Sequence, residues 1–313
     1  MTTVPLGTTR AAVSAMALGT AYFGTTVSED AAFAVLDAYV ATGGTFIDTA
    51  NMYAGWVPGG RGGESEAVVG RWMKDRRNRF RLFVATKVGL PYDGVAEGLR
   101  AATIREECER SLKRLGVEQI DLYYTHRDDR ATPAEEFMAA LDGLVRQGKV
   151  RHLGASNITA WRLVECNWIA RTRGLAEYAC LQQRFTYLRP RPNVDFAPQV
   201  PVTEEMLDCL RAHGMPLVCY GPLLKGTIDH PTKPLDPRYA WADTDARLAA
   251  LRAVVAEVGA TANQTILAWM LRLSPRVIPL FSASRPGQVR ENLAALNVRL
   301  TNEQMARLNQ SGV

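Results

Sequence analysis

Eight short apolar runs, each separated from the next by a helical pattern, constrain this chain more than any other feature. They fall around Met16–Leu18, Thr45–Asp48, Leu82–Lys87, Ile120–Thr125, Val150–Ala155, Ala179–Gln182, Pro216–Tyr220 and Val277–Leu280. A short continuous apolar run bounded by turn residues reads as a strand buried on both faces. Strands alternating with helices pair in parallel, and at eight strands such a sheet closes on itself. The expected fold is α/β, a (β/α)8 TIM barrel, with residues 1–313 as a single barrel domain. The competitor, a doubly wound dinucleotide sheet, should carry a Gly-rich fingerprint directly after its first strand. Here the first run continues as Leu18-Gly-Thr20-Ala-Tyr22-Phe-Gly24, which is not that fingerprint.

Helix starts can be read between the runs. Ser28, Thr159, Thr203 and Thr261 stand at N-cap positions, the last with Gln264 three residues on. Thr103 before Glu106, and Thr132 before Pro133 and Glu135, read as capping boxes. The segment from Val4 to Val13 reads as a hairpin able to plug the N-terminal end of the barrel. Two insertions, Ala54–Gly63 and Lys225–Asp245, follow strands and so belong to the face where barrel enzymes keep their active sites. They are expected to be long substrate-side loops. The glycines of the first lack the spacing of a phosphate cradle, and the segment reads as a lid.

Composition removes several function classes. No apolar run approaches the roughly 18 residues of a membrane helix, and no basic segment followed by an apolar one opens the chain, so a cytoplasmic protein without membrane attachment is expected. The net charge of +5 comes from scattered arginines without interleaved aromatics. That pattern argues against nucleic-acid binding while favouring an anionic ligand. Five cysteines show no metal-ligand spacing and read as free thiols, and no metal is expected.

The chemistry lies at the strand ends. Asp48, Lys87 and His126 sit at or just past three successive runs, and Tyr53 follows the first by five residues. Singly, each has a structural reading as a cap, a snorkelling amine or a core imidazole. Jointly, they converge on one opening. A phenol ordinarily ionises near pH 10, too high for easy proton exchange. A neighbouring ammonium, held by a carboxylate, would favour the phenolate, and the imidazole could donate to a carbonyl oxygen. The set suits protonation of a forming alkoxide.

The residues Phe46-Ile-Asp48-Thr-Ala-x-x-Tyr53, Ala85-Thr-Lys87 and Asp121-Leu-x-x-x-His126 resemble the aldo-keto reductase superfamily, (β/α)8 barrels that reduce carbonyls with a nicotinamide cofactor. Leu18-Gly-Thr20, the Gly148 to Asn157 segment, Pro279 and Glu291-Asn292-Leu extend the resemblance from about Val4 to Leu308. It implies Tyr53 as general acid, Lys87 and Asp48 as its partners, and His126 as the group orienting the substrate carbonyl. It implies further that Ser156, Asn157 and Gln182 hold the nicotinamide carboxamide and that Tyr220 stacks on the ring. Thr20, Asp48, Gly221, Leu223, Glu291 and Asn292 complete the implied cofactor contacts. Two positions depart from the family pattern: Gly221 stands where Ser is usual after Tyr220, and Ala54 where Gly is common after Tyr53.

Ser282, Ser284 and Arg285 align with the adenosine end of the cofactor, where a 2′-phosphate needs charged and hydroxyl donors. NADP(H) is therefore the expected cofactor, with NAD(H) possible because Gln288 replaces an Arg common in strongly NADP-specific relatives. Trp56 and Tyr22 would place aromatic surface beside a small-molecule carbonyl or alcohol substrate. The expected activity is reduction of an aldehyde or ketone. The same residues would serve an NAD(P)-linked dehydrogenase oxidising a sugar-type alcohol. A cofactor-binding regulatory subunit is a third reading, against which the complete tetrad argues. Whether the protein is a monomer or a homo-oligomer is not legible.

Overall fold

All eight expected strands form, within one or two residues of their sequence positions. The computed structural model describes residues 1–230 and 232–310. Strands β1 (Thr3–Pro5) and β2 (Ala12–Ser14) make an antiparallel hairpin. The barrel strands are β3 (Ala17–Gly19), β4 (Phe46–Asp48), β5 (Phe83–Val88), β6 (Ile120–Thr125), β7 (Val150–Ser156), β8 (Tyr178–Arg184), β9 (Leu217–Tyr220) and β10 (Val277–Ser282). Neighbours pair in parallel, and β10 bonds to both β9 and β3, closing the barrel. Around it run α1 (Glu29–Ala41), α2 (Glu64–Arg76), α3 (Ala101–Leu115), α4 (Ala134–Arg146), α5 (Ala160–Thr172) and α6 (Glu204–Ala212). Then come α7 (Ala242–Val258), α8 (Ala262–Leu271), α9 (Pro286–Leu293) and α10 (Asn302–Gln310).

Successive side chains of a strand point to opposite faces, and this period of two sorts the core into two parts. Ile47, Val84, Val88, Tyr123 and Leu217 pack outward against the helices. Phe46, Phe83, Ala85, Leu122, Tyr124, Cys180, Val218 and Ile278 fill the barrel, joined by Leu6 and Val13 of the hairpin segment. Both hairpin residues are fully buried, as a plug requires. Gly154 is needed where it stands, because a Cβ there would lie 2.5 Å from the Tyr124 ring. The same parity carries Asp48, Lys87, His126, Ser156, Gln182 and Tyr220 to the inner side of the barrel's C-terminal end.

Ser28, Thr159, Thr203 and Thr261 are N-caps, with a complete capping box between Thr261 and Gln264. Two expected boxes do not form, one giving way to a tertiary contact and one to a local turn. Helix α3 starts at Ala101, ahead of Thr103, because Glu136 of α4 accepts the Ala101 amide at 3.0 Å. Before α4, Asp129 accepts the Ala131 and Thr132 amides and the Thr132 hydroxyl, so Thr132 serves this turn and Pro133 becomes the N-cap. The Lys225–Asp245 insertion holds short 3-10 turns at Leu224–Asp229 and Pro237–Tyr239 and runs into the first turn of α7. Its Pro231 lies outside the described residues. No helix among the described residues is long and apolar enough to cross a membrane.

Candidate active site

Asp48 ends β4 and Lys87 lies near the end of β5, both fully buried. The Lys87 ammonium donates to Asp48 Oδ1 at 2.5 Å, to the Thr49 carbonyl at 2.7 Å and to the Tyr53 oxygen at 2.8 Å. Its three donors are thus fully committed. The Tyr53 hydroxyl has one internal acceptor, Asp48 Oδ1, at 3.3 Å. His126 follows β6 with its ring 5.9 Å from that of Tyr53, and its Nδ1 is buried without a partner. The four side chains named from the sequence therefore meet.

Their electrostatics differ from the sequence expectation in one respect. Lys87 alone would pull the Tyr53 phenol down, but burial, reinforced by the Asp48 charge, pushes it well above the usual tyrosine value. The phenol is held protonated. Burial also lowers the Lys87 ammonium, and Asp48 opposes that shift. His126 falls well below its ordinary 6.5, through burial and then the Lys87 charge. A neutral imidazole offers one N–H and no excess proton.

A second ring of polar groups adjoins the tetrad. Gln182 of β8 donates to Asp48 Oδ2 at 2.7 Å. Asn157, in the left-handed region at φ 51°, donates to the His126 carbonyl at 2.8 Å and to Ser156 Oγ at 3.1 Å. Its own oxygen accepts from the Tyr220 hydroxyl at 2.7 Å. Thr20 does not reach the opening: it is fully buried and donates to the Asp48 carbonyl at 2.9 Å.

A cleft of about 560 Å³ lies beyond the ends of β9 and β10, lined by Gly221, Leu223, Ser282, Arg285, Gln288, Glu291 and Asn292. Tyr22 also lines it and links it to the tetrad, meeting Trp56 edge-on at 5.8 Å between centroids. Trp56 in turn meets Tyr53 at 5.7 Å. At the far end Gln288 Oε1 accepts from the amide and hydroxyl of Ser284, at 2.8 and 3.1 Å. The exposed Arg285 caps α9.

Lys225 and Lys233 also line the cleft, and sequence reasoning missed both as ligand contacts. It assigned their insertion to the substrate mouth, whereas these residues stand with Ser282 and Arg285. Of the two cleft carboxylates, Asp229 is spent on the Ala262 and Asn263 amides at the start of α8. A cleft with three cations, Lys225, Lys233 and Arg285, suits a ligand with phosphates. The departures from the family pattern also find a place. Gly221 has φ 69°, which favours glycine, and Ala54 adopts φ 72°, the conformation in which a glycine is at ease.

The model of the family described as "Aldo/keto reductase family" matches residues 15–312. The chain is 32% identical to aldo-keto reductase str7 of Strobilurus tenacellus over 304 residues, covering 91% of this chain and 82% of that protein. It is 32% identical to norsolorinic acid reductase stcV of Emericella nidulans, covering 94% and 76%. With aryl-alcohol dehydrogenase GME11368 of Pestalotiopsis microspora it shares 30% identity, covering 88% and 71%. The chain belongs to the aldo/keto reductase family, oxidoreductases that use nicotinamide cofactors.

Proposed function

We propose that this protein reduces an aldehyde or ketone to the alcohol, with NADPH as preferred reductant and Tyr53 as proton donor. The observation that carries the reading is the bonding of Tyr53: its oxygen accepts from Lys87 while its hydrogen has only a long contact to Asp48. That hydrogen is free to meet an incoming carbonyl oxygen.

A bound nicotinamide supplies the hydride. Tyr53 gives its proton to the carbonyl oxygen as that oxygen takes on negative charge, and the Lys87 ammonium then stabilises the phenolate left behind. Asp48 keeps Lys87 charged, and Gln182 holds the second Asp48 oxygen in place. Neutral His126 orients the carbonyl with an N–H. Solvent returns the proton to Tyr53 after turnover.

Ser156, Asn157, Gln182 and Tyr220 would form the nicotinamide end, and Gly221, Leu223, Glu291 and Asn292 the middle of the cleft. Ser282, Ser284, Arg285 and Gln288 would receive the adenosine, with Lys225 and Lys233 adding positive charge. Three cations favour the extra dianion of NADPH over NADH. At the substrate end, the half-open Trp56 and Tyr22 offer an aromatic wall beside Tyr53. Together with the likeness to an aryl-alcohol dehydrogenase, that wall supports an aryl aldehyde or ketone as substrate. The same site would oxidise the corresponding alcohol when oxidised cofactor is in excess. An NADPH-oxidation screen over aryl aldehydes, keto-sugars and α-diketones tests the reading. Turnover of an aryl carbonyl is expected, and no turnover of any carbonyl would overturn it.

A further inference from the structure

The first turn of α2 packs against the outer side of the strands that carry the tetrad, and two of its side chains, Ser65 and Glu66, are fully buried. Ser65 Oγ donates to the Thr20 carbonyl at 2.8 Å and lies 2.7 Å from Thr20 Oγ1 and 2.8 Å from Thr49 Oγ1. Those residues bear directly on the site, since Thr20 donates to the Asp48 carbonyl and the Thr49 carbonyl accepts from Lys87. Glu66 Oε1 accepts the Thr86 hydroxyl at 2.5 Å, and Oε2 accepts Arg114 Nε of α3 at 2.6 Å. Thr86 immediately precedes Lys87 on β5, facing outward where Lys87 faces inward.

A carboxylate is costly to bury, and Glu66 is buried with each oxygen committed to a different neighbour, Thr86 of β5 and Arg114 of α3. Among the described residues Arg114 is its one close cation, and it also lies 4.0 Å from Glu107. We propose that Glu66 is a positioning residue for the reaction: through Thr86 it fixes, from the outer side, the end of β5 that carries Lys87. The inference rests on the reading of Tyr53 as proton donor. The charged and titratable groups around Lys87 are Asp48 of β4, Tyr53 after it, Tyr124 and His126 of the β6 segment, and Glu66 of α2 backed by Arg114. Among them Asp48 and Glu66 favour the charged amine, and burial opposes it. Removing the Glu66 charge should therefore let Lys87 lose its proton at lower pH.

The test is a pH profile of kcat/KM for benzaldehyde and NADPH with Glu66→Gln, which keeps an acceptor for Thr86 but not the charge. A several-fold fall in kcat/KM is expected at neutral pH, with the alkaline limb moved to lower pH, the NADPH Kd changed less than about twofold, and partial rescue by Glu66→Asp. A merely structural glutamate would not move the limb. Should Glu66→Gln fail to fold, Thr86→Val cuts the link and keeps the charge; kcat should then fall with the alkaline limb in place. A wild-type profile and kcat in the variant that folds, alongside an inactive Tyr53→Phe, would overturn the inference. An active Tyr53→Phe would instead overturn the reading of the site on which it rests.

Discussion

The Lys87 ammonium donates to the Tyr53 oxygen at 2.8 Å, while the Tyr53 hydroxyl donates to Asp48 Oδ1 at a longer 3.3 Å. Burial and Asp48 hold the proton on Tyr53, and in the proposed reaction Lys87 is already placed for the phenolate that proton transfer would leave.

Asp48→Asn should be costly to both stability and turnover. Lys87 and Asp48 are fully buried partners, and removing one member of such a pair leaves an uncompensated charge, at about 3–5 kcal/mol. Urea unfolding of the variant should show a loss of that order. kcat should fall as well, because Asp48 no longer orients the Lys87 ammonium or opposes the effect of burial on it.

His126 makes the protein sensitive to mild acid. Its native value lies well below the unfolded 6.5, so below about pH 6.5 the unfolded chain binds a proton that the native chain does not. Stability is therefore expected to fall as pH drops below that value, by up to about 1.4 kcal/mol per pH unit for this residue. Half-buried His152 is shifted the same way and adds to the slope. Comparing unfolding curves of wild type and His126→Gln between pH 7 and pH 5, in the manner of a linkage measurement, isolates the contribution: the variant's dependence should be shallower.

Arg285→Ala should raise the KM for NADPH much more than that for NADH. A lost charge-assisted contact of about 1.5–3 kcal/mol corresponds to roughly 10- to 100-fold. Steady-state kinetics with both cofactors decides it, and equal effects would remove Arg285 from the 2′-phosphate.

Trp56→Ala should raise KM for aryl aldehydes roughly 3- to 10-fold, the worth of one aromatic pair, and leave short aliphatic aldehydes nearly unchanged. A uniform change across both classes would make Trp56 a packing partner of Tyr53 and Tyr22 rather than a substrate wall.

What could be read from the sequence follows from local rules. The period of two in each strand sends Asp48, Lys87, His126, Ser156, Gln182 and Tyr220 inward together, and that much needs only the register of each apolar run. The partners chosen across the barrel were not legible. Gln182 reaches Asp48 over 134 positions, and Thr20 is held inside by Asp48 and Ser65, contacts that no local pattern encodes. Tyr53 shows the same limit in electrostatic form, since a nearby Lys was foreseeable but the larger effect of burial was not. Lys225 and Lys233 sit in an insertion whose path depends on packing against α8, and Glu66 stands in a helix's first turn, where nothing local marks its contact to Thr86.

The central claim, that Tyr53 delivers the proton, is tested most directly by Tyr53→Phe assayed with NADPH and benzaldehyde. The ring and its contacts to Trp56 and His126 are retained, and only the hydroxyl is lost. kcat should fall by about 100- to 10,000-fold, the range of lost acid–base catalysis, while NADPH still binds as measured by fluorescence titration. Turnover at the wild-type rate would contradict it.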